Sequence, residues 1–468
     1  MKFTKYTPEQ HDVLDYMCED HEEDVILLVE AGPGTGKSFM SKEVAKALQP
    51  KTALYTAFNK AIVEEGVTRF RGLNVQCKTF HALAYAFVRP KMDISDISYR
   101  CITEKISYRK KARVIEGINQ FYVSASTDMF DFMEEFFDEN TEAMLRDIAI
   151  KYIEMMVEGK INPTFNYMLK YFHLCLADGS AECSYDLVIL DEINDTTAVA
   201  LEIFKLIKSP KKLGLGETNQ AIYDFLNLVN GFEVLADEAT ILPLTQSFRC
   251  SERIADRIQY FMQKEVNRDY TFKGTDEPVA NGKTLYCTGT NALIIKEIAE
   301  RLQQGEGFNL LRKISEIFAY PMAIITAGGG KEVYQKKFKF LEDEYKAYLE
   351  LKNKGYSWMQ HLLACVDDQE TKTAVNLLLS LQRKNINLFK MYNEAKNAPV
   401  DLDYTIATVY TSKGLEFQNV YIADDLNSRI INIRDDGGIQ SHEDLVAYRC
   451  YFVAVSRCGV NLMNATSL

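Results

Sequence analysis

Nowhere does the 468-residue chain hold an apolar run approaching the ~20 residues a membrane-spanning helix needs, so no span is expected. It has a single tryptophan, and its 10 prolines and 24 glycines are too scattered for a fibrous or low-complexity protein. Its 10 cysteines include no C-x-x-C pair, which argues against zinc-ribbon spacing and a disulfide framework. Reduced, mostly buried thiols are expected instead. The opening MKFTKYTPEQHDVL lacks the apolar core of a signal peptide, so a cytoplasmic location is expected. Acidic residues exceed basic ones, 66 to 54, for a net charge of −12. That balance counts against a protein that coats nucleic acid by bulk charge, but it leaves room for a local strip of cationic and aromatic side chains. No internal repeat stands out. The length exceeds what one hydrophobic core fills and suggests roughly three or four domains' worth of structure.

What is present is an ordinary globular composition, 47% hydrophobic and 26% charged, with strand-like and helix-like stretches in alternation. DVILLVE, SKEVAKALQ, KTALYTAFN and KAIVEEG read as βαβα, hence a parallel sheet with helices on both faces. From about 85 to 150 the chain is charged and rich in helix formers, and strands return at YDLVILDE and KKLGLGE. A second α/β unit is predicted from TLYCTGT and NALIIKEIAERLQQ, with its remaining strands at YTIATVY and NVYIADDL. A mostly helical stretch, 305–397, separates them and holds Trp358. The expected fold class is therefore α/β, two parallel-sheet units each interrupted by a mostly helical insertion. Insertions of this kind leave the binding edge of a parallel sheet intact.

Residues 29–40 read VEAGPGTGKSFM, a Gly-rich turn between a strand and a helix. Ala31 stands where the usual phosphate-loop pattern has Gly, so the match is to a looser form. Gly32, Pro33, Gly34, Thr35 and Gly36 form a loop that can turn backbone N–H groups toward phosphates at a helix N-terminus. Lys37 would reach the β- and γ-phosphates, and Ser38 would ligate Mg²⁺. In YDLVILDEIND the apolar strand ends in Asp191 and Glu192. The end of a buried parallel strand is where ligands bind. Asp191 would hold the same Mg²⁺ and Glu192 would polarise the attacking water, unless the pair merely opens a surface turn.

In LGLGETNQAIYDF, Gln220 could sense a γ-phosphate, while Tyr223 and Phe225 face either core or ligand. LPLTQSFRCSERI and AYRCYFVAVSR deliver Arg249 and Arg457, which either meet transition-state phosphoryl charge or form ordinary ion pairs. Phe248 could stack on an adenine. In YTSKGLEFQNVYI, Gly414 permits a tight turn and Glu416 could accept from a ribose. YTAFNKAI and KTFHALAYAF mix aromatic, amide, hydroxyl and His side chains, suited either to single-stranded nucleic acid or to core packing.

In this order the segments resemble superfamily 1 helicases of the UvrD/Rep type, over most of the chain. PEQ looks like the glutamine segment that reads adenine, and AGPGTGKS like the first motif. YTAFNKA and TFHALA resemble Ia and Ib, and DEIND the second motif. GETNQAIYDF, QSFRCS, TSKGLEF and YFVAVSR resemble the third to sixth. NPTFNYMLK looks like a segment of the F-box-helicase-like branch and related phage enzymes.

The resemblance implies two RecA-like domains with ATP and Mg²⁺ between them and single-stranded DNA, or a forked duplex, across their tops. Gln10 would read adenine, Lys37 and Ser38 the phosphates and metal, and Asp191 and Glu192 the metal and water. Gln220, Arg249 and Arg457 would surround the γ-phosphate, Phe248 would stack on the base, and Gly414 and Glu416 would approach the ribose. Phe58, Asn59, Thr79, His81, Tyr223, Phe225 and Thr411 fall in segments expected to touch DNA. The implied domain map is 1A at 1–84 and 151–245, 1B at 85–150, 2A at 246–304 and 398–468, and 2B at 305–397. A monomer moving 3′→5′ is expected, in replication, recombination or repair, with proteins of replication or recombination as further partners. A phage-encoded chain would work in the host cytoplasm.

Four departures fall mainly among the expected DNA contacts and inter-motif couplings. Leu226 follows the aromatic pair where Arg is usual, Tyr410 and Phe165 stand for His, and Thr288-Gly289-Thr290-Asn291 stands for Arg-Ser-Asn. They favour a second possibility, an ATP-driven remodelling switch that unwinds little.

Overall fold

The computed structural model describes residues 6–57, 59–88, 93–95, 97, 101–222, 228–335, 338–351, 357–366 and 369–468. Of the residues singled out above, Phe58, Tyr223, Phe225 and Leu226 lie outside that set. The chain divides into two compact units, residues 1–245 and 246–468.

The first unit is built on six strands: β1 (Val25–Ala31), β2 (Ala53–Ala57), β3 (Val75–Cys77), β4 (Leu187–Asp191), β5 (Lys211–Gly216) and β6 (Thr240–Leu244). They lie in the order β3-β2-β4-β5-β1-β6, with every neighbouring pair parallel. The apolar runs explain this, because a parallel strand covered on both faces needs hydrophobic side chains at every position. On one face Leu27 and Val29 pack with Val13 and Met17 of α1 (Pro8–Cys18) and with Met40 and Val44 of α2 (Lys37–Leu48). After β2 and β3 come α3 (Lys60–Arg69) and α4 (Phe80–Val88). On the opposite face of the sheet, Leu28 and Val188 pack against Phe80 and Leu83 of α4.

Three helices between the strands, α5 (Tyr108–Val123), α6 (Met129–Phe136) and α7 (Ala143–Val157), bury a core of their own around Ile118, Phe121, Met133 and Tyr152. The next helix, α8 (Phe165–Ala177), instead sends Leu169 and Phe172 into the sheet core, beside Phe204 of α9 (Ala198–Leu206). Three of these helices start where the sequence supplies an acceptor: Ser107, Asp128 and Thr164 take backbone N–H groups at the starts of α5, α6 and α8.

The second unit opens with β7 (Gln246–Ser251), α10 (Glu252–Glu265) and β8 (Lys273–Thr275), the two strands pairing parallel. Its main sheet holds β9 (Thr284–Thr288), β10 (Asn309–Leu310), β11 (Tyr404–Thr408), β12 (Phe417–Ile422) and β13 (Cys458–Met463). The order is β10-β11-β9-β12-β13, again all parallel. Helix α11 (Asn291–Gln304) follows β9. The stretch 305–397 is not wholly helical, since the two-residue β10 within it adds to the sheet edge. Beyond β10, helices α12 (Ala319–Gly328), α13 (Phe340–Leu351), α14 (Trp358–Cys365), α15 (Gln369–Arg383) and α16 (Leu388–Lys396) gather around Trp358. The buried Trp358 indole donates to the Ile324 carbonyl at 2.9 Å, as a buried N–H must find a partner. Helices α17 (Asp424–Asp435) and α18 (His442–Val455) complete the unit.

Two parallel sheets flanked by helices are the RecA-like α/β class expected from the sequence. No described helix is long and apolar enough to cross a membrane.

Candidate active site

In the first unit, the loop after β1 turns at Gly34 and Gly36, whose φ angles of 71° and 94° lie in the left-handed region that glycine adopts without penalty. Gly36 caps α2, and a Cβ added there would meet the Gln10 amide at 3.3 Å. The loop is braced from inside: Thr35 donates its hydroxyl to the Gly32 carbonyl at 2.8 Å, and Gly32 N–H donates to the Leu244 carbonyl at 3.0 Å. Pro33 lies between them, and Ser38 sits exposed in the first turn of α2. Gln10 is buried and its amide has two partners. Its Oε1 accepts from Thr7 N–H at 3.1 Å, and its Nε2 donates to the Thr35 carbonyl at 3.3 Å.

Asp191 and Glu192 stand at the end of β4. The register pairs Ala57 with Asp191 and Asp191 with Leu215, so the ends of β2, β4 and β5 lie level. The Lys37 ammonium lies 3.2 Å from Glu192 Oε1. Glu192 is one of four non-glycine residues with positive φ among the described residues, at 55°. Such strain persists only where surrounding structure enforces it, and it collects at functional sites. Asp191 is buried, and its Oδ2 accepts from the Tyr55 hydroxyl at 2.5 Å and from Arg69 Nη1 at 3.4 Å. Its Oδ1 accepts from Glu192 N–H at 3.1 Å. Burial and the Asp191 charge push the Tyr55 hydroxyl far above its ordinary range, so it stays a donor. Arg69 also donates to the Tyr55 oxygen at 3.0 Å.

Motif reasoning missed Tyr55 and Arg69, which lie in or beside YTAFNKAI but gain meaning only once β2 is known to pair with β4. It also missed Asn194 of DEIND, whose Oδ1 accepts from Glu217 N–H at 2.9 Å and ties this turn to the next motif. Gln220 sits buried in a turn of 3₁₀ helix, Thr218–Gln220, with its amide donating to Glu217.

Four of the residues assigned to DNA in this unit's early motifs are Phe58, Asn59, Thr79 and His81. The three that are described use their polar atoms locally. Asn59 caps α3 by accepting from Ile62 N–H at 3.0 Å, and Thr79 accepts from Ala82 N–H at 3.1 Å. His81 meets Asn166 Oδ1 at 3.2 Å, and burial holds its imidazole below the ordinary value. Phe165, standing where His was expected, is half exposed, and its ring centroid is 6.4 Å from that of His81.

The second unit brings its own assigned residues together. Arg249 on β7 is buried, with Nε 3.3 Å from Glu416 Oε2 and Nη1 donating to the Ser456 carbonyl at 3.1 Å. Arg457 is 1% exposed and donates to the carbonyls of Val453 at 3.0 Å and Leu415 at 3.4 Å. Its Nη2 also donates to Ser456 Oγ at 3.1 Å. Ser456 therefore touches both arginines, a link no single motif displays. Gly414 has φ of 86° with open space where a Cβ would stand. Phe248 is 48% exposed, beside the buried Arg249. Thr411, in a short helix Val409–Ser412, donates its hydroxyl to the Thr408 carbonyl at 3.1 Å. Tyr410 receives the Cys450 thiol at 3.8 Å through its hydroxyl.

The donor set of the first unit fits a triphosphate with Mg²⁺: a left-handed Gly turn, an ammonium, and hard oxygen ligands in Ser38 and a carboxylate with lone pairs to spare. Residues 18–226 match the family described as an AAA domain. The chain is UvrD/Rep-like. It is 24% identical to F-box DNA helicase 1 of Gallus gallus over 473 aligned residues, which cover 90% of this chain and 45% of that protein. It is 22% identical to F-box DNA helicase protein 1 of Schizosaccharomyces pombe, over 87% of this chain and 52% of the relative. The chain thus spans about half the length of the curated relatives it matches. Nucleotide use follows from the AAA domain.

Proposed function

We propose that the chain is an ATP hydrolase that moves along single-stranded DNA and separates strands, with Mg²⁺ as the metal and 3′→5′ as the direction. One observation carries the proposal: Lys37, Asp191 and Glu192 meet at the mouth of a glycine-turned loop in a chain similar to two F-box DNA helicases. Bound Mg²⁺ would be held by Ser38 and Asp191 and would neutralise phosphate charge. Lys37, on leaving Glu192, binds the terminal phosphates. Glu192, freed from that ion pair, takes the proton of the attacking water. Arg249 and Arg457 supply guanidinium groups to the equatorial oxygens, Gln220 orients the water, and Gln10 exchanges its Thr7 and Thr35 contacts for the adenine edge. Phe248 stacks on the base, and Glu416, released from Arg249, holds the ribose.

On the same footing we assign 1–84 and 151–245 to domain 1A, 85–150 to 1B, 246–304 and 398–468 to 2A, and 305–397 to 2B. The DNA path takes in Phe58, Asn59, Thr79, His81, Tyr223, Phe225 and Thr411, and replication, recombination or repair would be served from the cytoplasm. The alternative, a remodelling switch with little unwinding, draws its support from Tyr410 and Phe165 standing where His is usual.

Steady-state ATP turnover without nucleic acid, with single-stranded DNA and with single-stranded RNA, tests the proposal, with Glu192→Gln as control. Stimulation by DNA alone, lost by roughly a hundredfold or more in the variant, is expected. Turnover indifferent to every strand would transfer the assignment to the switch, and turnover unchanged in Glu192→Gln would overturn the active site.

A further inference from the structure

The first turn of α1 makes two contacts that point in different directions. Gln10 donates to the Thr35 carbonyl in the Gly-rich loop. Its neighbour Glu9 grips Thr245, the last residue of the first unit: Thr245 N–H donates to Glu9 Oε2 at 2.6 Å and the Thr245 hydroxyl to Glu9 Oε1 at 2.5 Å. The contact spans 236 positions of sequence, and both carboxylate oxygens are engaged, the strong, charge-assisted kind of hydrogen bond. A third contact closes the ring, since Gly32 N–H at the start of the loop donates to the carbonyl of Leu244. Loop, helix turn and the end of β6 are thereby fastened to one another. Gln246, the next residue, opens the second unit, and Arg249 follows on the same strand.

We propose that Glu9 is a positioning residue that passes the state of the nucleotide loop to residues 244–251, where the chain leaves the first unit. When Gln10 releases Thr35 to read a base, the turn that carries both side chains shifts, and Glu9 transmits that shift to Thr245. A carboxylate suits the task because it accepts the backbone N–H and the hydroxyl at once. The proposal rests on nucleotide binding by the loop, so its test reads the two separately.

Amide hydrogen exchange is followed by mass spectrometry in the parent chain, Glu9→Ala, Glu9→Gln and Thr245→Val, with and without Mg²⁺ and a non-hydrolysable ATP analogue. In the parent, the analogue is expected to protect 31–38 and to change exchange across 244–251. In Glu9→Ala the protection of 31–38 stays, the response of 244–251 disappears, and the unliganded Thr245 amide exchanges about tenfold faster, as for one lost charge-assisted bond. Glu9→Gln, which keeps an acceptor, restores part of the response, and Thr245→Val, which keeps the fold's backbone contact, loses part of it. In turnover assays kcat falls while the KM for ATP holds. A response of 244–251 equal to the parent's in Glu9→Ala, or in Thr245→Val if the first variant does not fold, overturns the proposal. A rise in KM alone also overturns it, placing Glu9 in base binding only. No protection of 31–38 in the parent would instead defeat nucleotide binding by the loop, and the proposal with it.

Discussion

Asp191 shows how much one carboxylate depends on residues that no motif names. Tyr55 and Arg69 both donate to its Oδ2, and the Glu192 amide holds its Oδ1, so its free lone pairs are aimed rather than left to rotate. Partners of this kind behind a metal ligand are worth about 10- to 100-fold in metal affinity when removed. Tyr55→Phe, which keeps the buried ring and deletes only the hydroxyl, is therefore expected to raise the Mg²⁺ concentration needed for half-maximal turnover about tenfold. Mg²⁺-dependent binding of a fluorescent nucleotide analogue should shift in parallel, while the melting temperature holds. An unchanged Mg²⁺ midpoint in both assays would mean that Arg69 alone orients Asp191.

At the scale of elements, the sequence is most legible where structure is local. VEAGPGTGKS and VILDE each contain their own strand and turn, so the loop, the positive φ of Gly34 and Gly36, and the position of Asp191 could be anticipated from adjacent residues. Contacts set by sheet order could not. Tyr55 meets Asp191 because β2 happens to lie beside β4, and Glu9 meets Thr245 because β6 is the edge strand next to β1. The short β10 escaped notice because two residues carry no periodicity. Helix α8 hides another such contact. Lys170 is buried there, over the Phe121 ring, and donates to the carbonyls of Ser124 and Ser126 between α5 and α6. Burial brings its ammonium down to about 7 from a usual 10.5. The folded value is below the unfolded one, so between them the unfolded chain binds more protons, and stability rises with pH from about 7 toward 10 by at most ~1.4 kcal/mol per unit. Urea unfolding of α5–α8, followed at pH 7 and pH 9, should show that gain in the parent and lose it in Lys170→Met. Equal slopes in the two proteins would place the Lys170 titration outside this window.

For the whole molecule, net charge and DNA binding pull in opposite directions. A chain at −12 repels a polyanion at long range, so any grip on a strand must be made locally. The described residues assigned to the strand, Asn59, Thr79, His81 and Thr411, bring no lysine or arginine, and the half-exposed Phe165 beside His81 offers a stacking face instead. Binding by stacking and neutral hydrogen bonds releases few counterions. For a single strand, log affinity falls with log salt by about 0.7 for each phosphate neutralised. The proposed translocase should therefore show a shallow dependence, with a slope of about −2 or less in magnitude between 50 and 200 mM salt, roughly three phosphate contacts. The measurement is the DNA concentration giving half-maximal ATP turnover across that range. Loss of stimulation in Phe165→Ala with the slope unchanged would agree with grip by stacking. A slope steeper than about −5 would require some seven cationic contacts and would move the strand away from these residues, onto a basic surface the motifs do not mark.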